Sequence, residues 1–363
     1  TSDTADFRFK SLDDARFAFK TVNVNALIDF EKRTGEFRTN GKGSVVTFPA
    51  NQYICFMDKF KWNMDKNSIE LSSDNKTTET DAEGLVLSGP EFISIHPKQD
   101  SLRFFAPSAT FDLKKNIISA RDVKYINVAD ARIFPDSGKV VVEKDAVMKN
   151  LINAKILANN VTKFHTVYNA LVTVFARRSY TASGDYDYID EIKQKRAIHF
   201  ASVSVDTTYQ THAEANIPDS ARFALSPNFD FKGLVRMEAN KQYLTFNGAC
   251  RIQHACAAVQ KSWFKFKEEI NPERIFIPIS KDLYDEEDKN IAAGIMLTTD
   301  STHIYSAFLS KKKAKSDTEV LSAEGYLFYD KPSKEYRISN KEKLIEKELT
   351  GNYISLNIKS CET

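Results

Sequence analysis

Period-two alternation constrains this chain more than any other feature. Short segments that switch between apolar and polar residues recur along most of its length, at 45–48, 53–56, 92–96, 102–105, 139–143 and 199–205. Successive side chains of a strand point to opposite faces, so this pattern makes a half-buried β-strand, whereas a helix needs apolar residues three and four apart. Turn formers such as Lys115-Asn116, Pro135-Asp136-Ser137-Gly138 and Asn159-Asn160 separate the segments. Phenylalanine (26) and tyrosine (14) are abundant, and their rings pack well on a pleated face. Helical candidates are confined to 341–348 and to 146–155, the second of which fits strands equally well. The predicted fold class is all-β.

The stretch 109–205 is the most regular. It reads as successive strands at 117–120, 123–126, 131–134, 140–143, 154–158, 173–176 and 180–188. Short strands at near-even spacing predict an elongated β-jellyroll or β-solenoid-like stack. The edges of such an open stack need a partner to cover them.

The chain also resembles itself. Ala-Arg-Phe-Ala-Phe-Lys at 15–20 matches Ala-Arg-Phe-Ala-Leu-Ser at 221–226; 26–31 matches 233–238, and 37–41 matches 244–248. The offset is 206 at the first match and 207 afterwards. Trp62 and Trp263, the two tryptophans, both follow the matched block, and 109–119 resembles 326–339 as strand, lysine-bearing turn and strand. The expected division is a first β unit over 1–212, containing the 109–205 stack, and a second, truncated unit over 213–363, with a polar, Pro-ended connector at 213–218. The chain starts at Thr1 without an initiator Met and is read as a mature or excised piece of a longer array.

Composition excludes several functions. Fifty-one basic and 49 acidic residues leave a net charge of +2, which gives no global field to attract nucleic acid or an anionic membrane. Glycine is scarce, at 12, with Gly41 and Gly43 the only close pair, so a phosphate-cradling glycine loop is not expected. No apolar run approaches the roughly 20 residues of a membrane-spanning helix. No cofactor is implied.

Candidate chemistry is sparse. Six histidines lack the HxxxH and HExxH spacings, and Cys55, Cys250, Cys256 and Cys361 lack a CxxC, so no metal site is predicted. The cysteines read as small buried hydrophobes, with their disulfide state open. At 185–191 carboxylates alternate with tyrosines. On a strand Asp185 and Asp187 share one face and Tyr186 and Tyr188 the other, an arrangement able to stack on sugar rings. With Tyr180 and Arg177 these form the candidate ligand-binding set, and no catalytic residue is nominated. The acidic run at 282–288 lacks the order of a calcium loop and reads as a solvated loop. The basic run Lys311-Lys312-Lys313-Ala314-Lys315 reads as a solvated hairpin loop.

From Ile117 to Val205 the sequence resembles the periplasmic organic-solvent-tolerance and lipopolysaccharide-transport family of β-jellyroll stacks. The residues that carry it are Ile118-Ser119-Ala120-Arg121-Asp122-Val123 and Tyr180-Thr181-Ala182-Ser183-Gly184-Asp185-Tyr186. The blocks Thr34-Gly35-Glu36-Phe37 and Phe48-Pro49-Ala50-Asn51-Gln52-Tyr53 are similar to large envelope proteins of Bacteroidetes-type bacteria. Both resemblances imply an exported protein of the periplasm or cell envelope. The expected function is a non-enzymatic envelope β-scaffold binding a protein partner, a lipid or a glycolipid. A carbohydrate-active module, either a sugar-binding domain or a β-helical lyase, is the alternative.

Overall fold

The computed structural model describes residues 1–12, 14–40, 45–72, 78–80, 86–257, 259–300, 302–346 and 352–363. The chain is nearly all-β, 56% strand and 5% helix, built of curled antiparallel sheets in a jellyroll-like manner. The alternating segments become the strands Val46–Phe48, Tyr53–Cys55, Glu91–Ser94, Arg103–Phe105, Val140–Val142 and Lys195–Val205. Of the two helical candidates, Lys341–Glu346 is an α-helix, and 146–155 feeds into the strand Leu151–Leu157. The expected strand at 123–126 is displaced, since pairing starts only at Ile126. No helix among the described residues is long and apolar enough to cross a membrane.

Two compact units divide the chain: Thr1–Tyr186 with Ala201–His212, and Asp187–Phe200 with Ala213–Thr363. In the first, one sheet runs in the order Arg103–Phe105, Glu91–Ser94, Tyr53–Cys55, Val46–Phe48, Phe17–Asp29, Thr34–Thr39, Lys59–Asn63, Ser68–Ser72, Ser108–Asp112, Ile117–Arg121, Val140–Val142. Its inward positions are the aromatic half of the alternation. Phe19 meets Phe48 and Phe60 at 5.6 and 5.3 Å between ring centres, and Phe48 meets Phe111 at 5.0 Å. All four rings are buried, so truncating any one to alanine costs about 3–5 kcal/mol. In the same unit the strands Ala131–Phe134, Leu151–Leu157 and Thr166–Ala176 pair in sequence, and Thr166–Ala176 pairs on with residues 179–186 of the strand Ser179–Ile189.

In the second unit Phe229–Glu238, Leu244–Ile252 and Phe264–Ile270 form an antiparallel meander. Gly233 faces Gly248 across it, and a Cβ on Gly248 would lie 2.2 Å from the Lys232 carbonyl oxygen; only glycine lets the two backbones approach so closely. A disulfide joins Cys256 to Cys361, while Cys55 and Cys250 are free and buried. The reading of all four cysteines as buried hydrophobes is therefore corrected for Cys256 and Cys361.

Of the stretches matched in sequence, 26–31 with 37–41 and 233–238 with 244–248 each supply the two strands of an antiparallel hairpin, while the first match is laid out differently. Residues 17–29 form a single strand, whereas their counterpart is Ala224–Ser226 folded back on Phe229–Glu238. The likeness between 109–119 and 326–339 has a local cause, because both are hairpins with a four-residue loop. Closing pairs Asp112↔Ile117 and Asp330↔Glu335 have the same form as Asp29↔Thr34 and Asn63↔Ser68. In all four the last loop residue (Asn116, Lys334, Arg33, Asn67) is left-handed, with φ of 50–57°. The leading Asp or Asn accepts the N–H three residues on in three of them, at 2.9–3.0 Å. These short polar side chains stabilise such turns by mimicking backbone acceptors.

A second turn recurs at Asp190, Asp206 and Asp285. In each the carboxylate accepts the N–H groups two and four residues ahead, at 2.7–3.0 Å. The residue three ahead (Lys193, Tyr209, Asp288) is left-handed. Asp285 is buried, which corrects the expectation that 282–288 is simply a solvated loop.

Candidate functional site

The six residues nominated from sequence are scattered among different duties. In the first unit, Tyr180 is buried and its hydroxyl lies 2.9 Å from the Thr211 hydroxyl. Thr211 in turn donates both its hydroxyl, at 2.6 Å, and its N–H to Asp130. Burial pushes the Tyr180 hydroxyl above the usual tyrosine range. Tyr186 is half-buried, its hydroxyl 3.2 Å from Nδ1 of His165, and Asp185 accepts from the Asn169 amide at 3.0 Å. Arg177 has an exposed side chain and is held through its backbone, donating to Gln99 and accepting from Ala129. In the second unit, Asp187 pairs with Lys195 at 2.6 Å. Tyr188 is buried against Phe223 and Phe246 and donates to the Leu225 carbonyl at 3.0 Å. The buried rings of Tyr180 and Tyr188 offer no face to a ligand, so the expected tyrosine row is replaced by interior packing.

A better-formed cleft lies on the outward face of the meander. The register Asp230↔Arg251 and Lys232↔Ala249↔Lys265 puts these side chains on one face, opposite the buried Phe231, Cys250 and Phe264. Trp263, just before the third strand, is half-exposed, with Lys232 and Arg251 each 4.4 Å from its ring centre. Arg251 donates twice to one oxygen of Asp230, at 2.7 and 3.2 Å, and Gln253 donates to the same oxygen. Lys232 reaches Asp219 at 3.5 Å and also pairs with Glu286. Two cavities border this network. One of about 480 Å³ is lined by Trp263, Arg251, Asp230 and Arg222, and one of about 610 Å³ by Lys232, Lys265, Asn247 and Phe266. A ring beside fixed, paired charges suits a neutral, hydroxyl-rich ligand, since apolar C–H faces stack on the indole while the carboxylate and guanidinium meet hydroxyls. The sequence signal was the strand-parity match of Asp230 and Lys232 with Arg251 and Trp263, visible only once their register is known.

An apolar surface lies in the first unit. On Thr166–Ala176, Val167, Val172 and Val174 turn inward while Tyr168, Leu171 and Phe175 turn outward. The pair Leu151↔Val172 sets Ile152 beside Leu171. Ile152 is 72% exposed, Phe175 50% and Leu171 46%. Among the described residues no group of three or more His, Cys, Asp or Glu side chains is placed to hold a metal ion.

No family model matches the chain, and neither a curated protein nor a solved structure does.

Proposed function

We propose that this chain is a non-enzymatic β-scaffold of a bacterial envelope that binds a protein partner or an amphipathic lipid. The observation that carries the reading is the outward row Ile152, Tyr168, Leu171 and Phe175. A sheet face with several neighbouring large apolar side chains in water favours a covering partner. Each such side chain gains about 1.5–3 kcal/mol on full burial. An exported location is supported by the Cys256–Cys361 disulfide, because such bonds persist in oxidising compartments, and by the resemblance of 117–205 to the lipopolysaccharide-transport family. The test is the double substitution Leu171→Arg with Phe175→Arg. It is expected to abolish capture of envelope protein and of a fluorescent acyl-chain probe while leaving the melting temperature unchanged. Retention of both activities by the variant sinks the reading.

The Trp263 cleft favours a second reading, a sugar-binding module. Oligosaccharides should then quench tryptophan fluorescence in the native chain and lose that effect in Trp263→Phe, while Trp62, packed on Phe9 at 4.7 Å, stays silent. Equal quenching in the variant removes this reading.

A further inference from the structure

The basic run at 311–315 does not lie in a hairpin. The strands Ile304–Ser310 and Thr318–Ser322 flank Ala292–Leu297 on opposite sides, both antiparallel to it. Residues 311–317 therefore cross from one end of that strand to the other. Ser310 pairs with Ala292 where the crossover begins, and Thr318 pairs with Leu297 where it ends.

The crossover is pinned at both ends. At the far end Asp317 accepts the Tyr305 hydroxyl at 2.6 Å and the Ala314 N–H at 2.8 Å, and the Tyr305 oxygen accepts the Lys313 N–H at 2.9 Å. At the near end Lys311 pairs with Asp285 at 3.0 Å. The other Asp285 oxygen holds the Glu287 and Lys289 N–H groups of the 285–289 turn. One buried carboxylate thus joins two loops that are distant in sequence.

Between those loops is a cavity of about 700 Å³ whose lining includes Lys281, Lys289, Lys311, Lys312 and Lys315, with Asp282 and Glu319 as its carboxylates. Lys289 and Lys311 are answered by Glu287 and Asp285. Among the described residues Lys312 reaches a backbone oxygen, that of Asp317, at 3.4 Å, and no carboxylate. Neither Lys281 nor Lys315 has an ion-pair partner among the described residues. Five lysines line one space in a chain whose net charge is +2, and three of them, Lys281, Lys312 and Lys315, have no ion-pair partner among the described residues. Like charges held together repel, and an anion between them relieves that repulsion.

We propose that this cavity binds a phosphoryl or sulfate group carried by a larger molecule. Ammonium groups act as point charges with freely turning donors, which suits a tetrahedral oxyanion approached from several sides better than the planar fork that arginine offers a carboxylate. No aromatic ring is among the described lining residues, so these residues offer the bases of a nucleic acid no stacking platform. Because the Asp285 and Asp317 bonds hold the loops in place beforehand, little ordering cost remains for the ligand to offset. Its lining shares no residue with the apolar row or with the two cavities at Trp263, although Glu286 of the 285–289 turn also pairs with Lys232, and the proposal stands whichever of those readings holds.

Titration of the full chain with inorganic pyrophosphate, and with phosphatidylcholine vesicles with and without phosphatidic acid, tests the proposal at low and at high salt. A phosphate-bearing probe is expected to bind, weakening as salt screens the charges. Lys312→Glu with Lys315→Glu should weaken that binding about tenfold or more. Lys114→Glu with Lys115→Glu makes the same change of charge on an exposed loop of the first unit and should leave it unchanged. Pyrophosphate binding identifies the phosphoryl group itself as sufficient, and binding only to phosphatidic acid vesicles identifies a lipid headgroup as the source. If the reversal lowers the melting temperature, Lys312→Gln with Lys315→Gln replaces it and must still weaken binding. Failure of the native chain to bind either probe overturns the proposal, as does an equal loss in both variant pairs.

Discussion

Asp130 in the first unit and Asp285 in the second each tie together two loops far apart in sequence, and their electrostatic circumstances are opposite. Asp130 receives the N–H and hydroxyl of Thr211, both neutral donors. Burial raises its carboxyl above the usual range, and the Thr211 bonds only partly offset this. Burial also pushes the Asp285 carboxyl up, but the Lys289 N–H, the Lys311 ammonium and the Glu287 N–H together outweigh it and hold the group below the usual range. Asp130 also faces the Asp206 carboxylate, which raises it further, whereas Asp285 faces the Lys311 ammonium; the sign of the nearby charge separates two carboxylates that both accept neutral donors.

The largest effect expected is for Asp285→Ala. Loss of two backbone partners and the Lys311 pair should destabilise the second unit by about 3 kcal/mol, read from urea unfolding. Asp130→Ala should cost less, about 1–2 kcal/mol, because removing a poorly solvated charge compensates for stranding Thr211. If Asp130→Ala proves the costlier of the two, the contrast is broken. Tyr180→Phe, which leaves the Thr211 hydroxyl one partner short, should cost about 1 kcal/mol.

Their pH dependence separates the two most sharply. The stability that Asp130 contributes by binding its proton more tightly when folded is fully present below its unfolded value, near 3.8, and is lost as pH rises through its raised folded value. Asp130→Asn, which keeps an acceptor without the charge, should therefore equal or exceed the native chain at neutral pH and lose that advantage toward pH 3. Asp285 contributes stability above its unfolded value, and that stability is lost as pH falls through its depressed folded value. Asp285→Asn should accordingly cost about 1 kcal/mol at neutral pH and converge with the native chain in acid. Melting curves across pH 2 to 8 on both variants measure the crossing. Parallel curves would refute the assignment of the two carboxylates.

Much of the strand content was legible because alternation carries it directly. Phe19, Phe48, Phe60 and Phe111 sit at inward parity, and each is buried. The four-residue hairpins were partly legible: Lys114-Lys115-Asn116 read as a turn, but its kinship with 29–34 and 63–68 depends on backbone angles that no single residue type dictates. The crossover at 311–317 was misread as a hairpin because local sequence says that a chain turns and leaves open which strand it joins next. Likewise the alternation at 185–191 places Tyr188 on a face with Tyr186, and alternation does not tell which of a sheet's two faces is covered; Tyr188 is buried. The Trp263 cleft and the lysine cavity escaped for a related reason, since both are assembled from segments separated in the chain and brought together by pairing.

The bond between Cys256 and Cys361 encloses a stretch of 105 residues in sequence separation, and the whole basic crossover lies inside it. A protease that nicks at the exposed Lys313 or Lys315 therefore opens a ring instead of releasing a tail. The two pieces should migrate as one band on a denaturing gel until reductant is added.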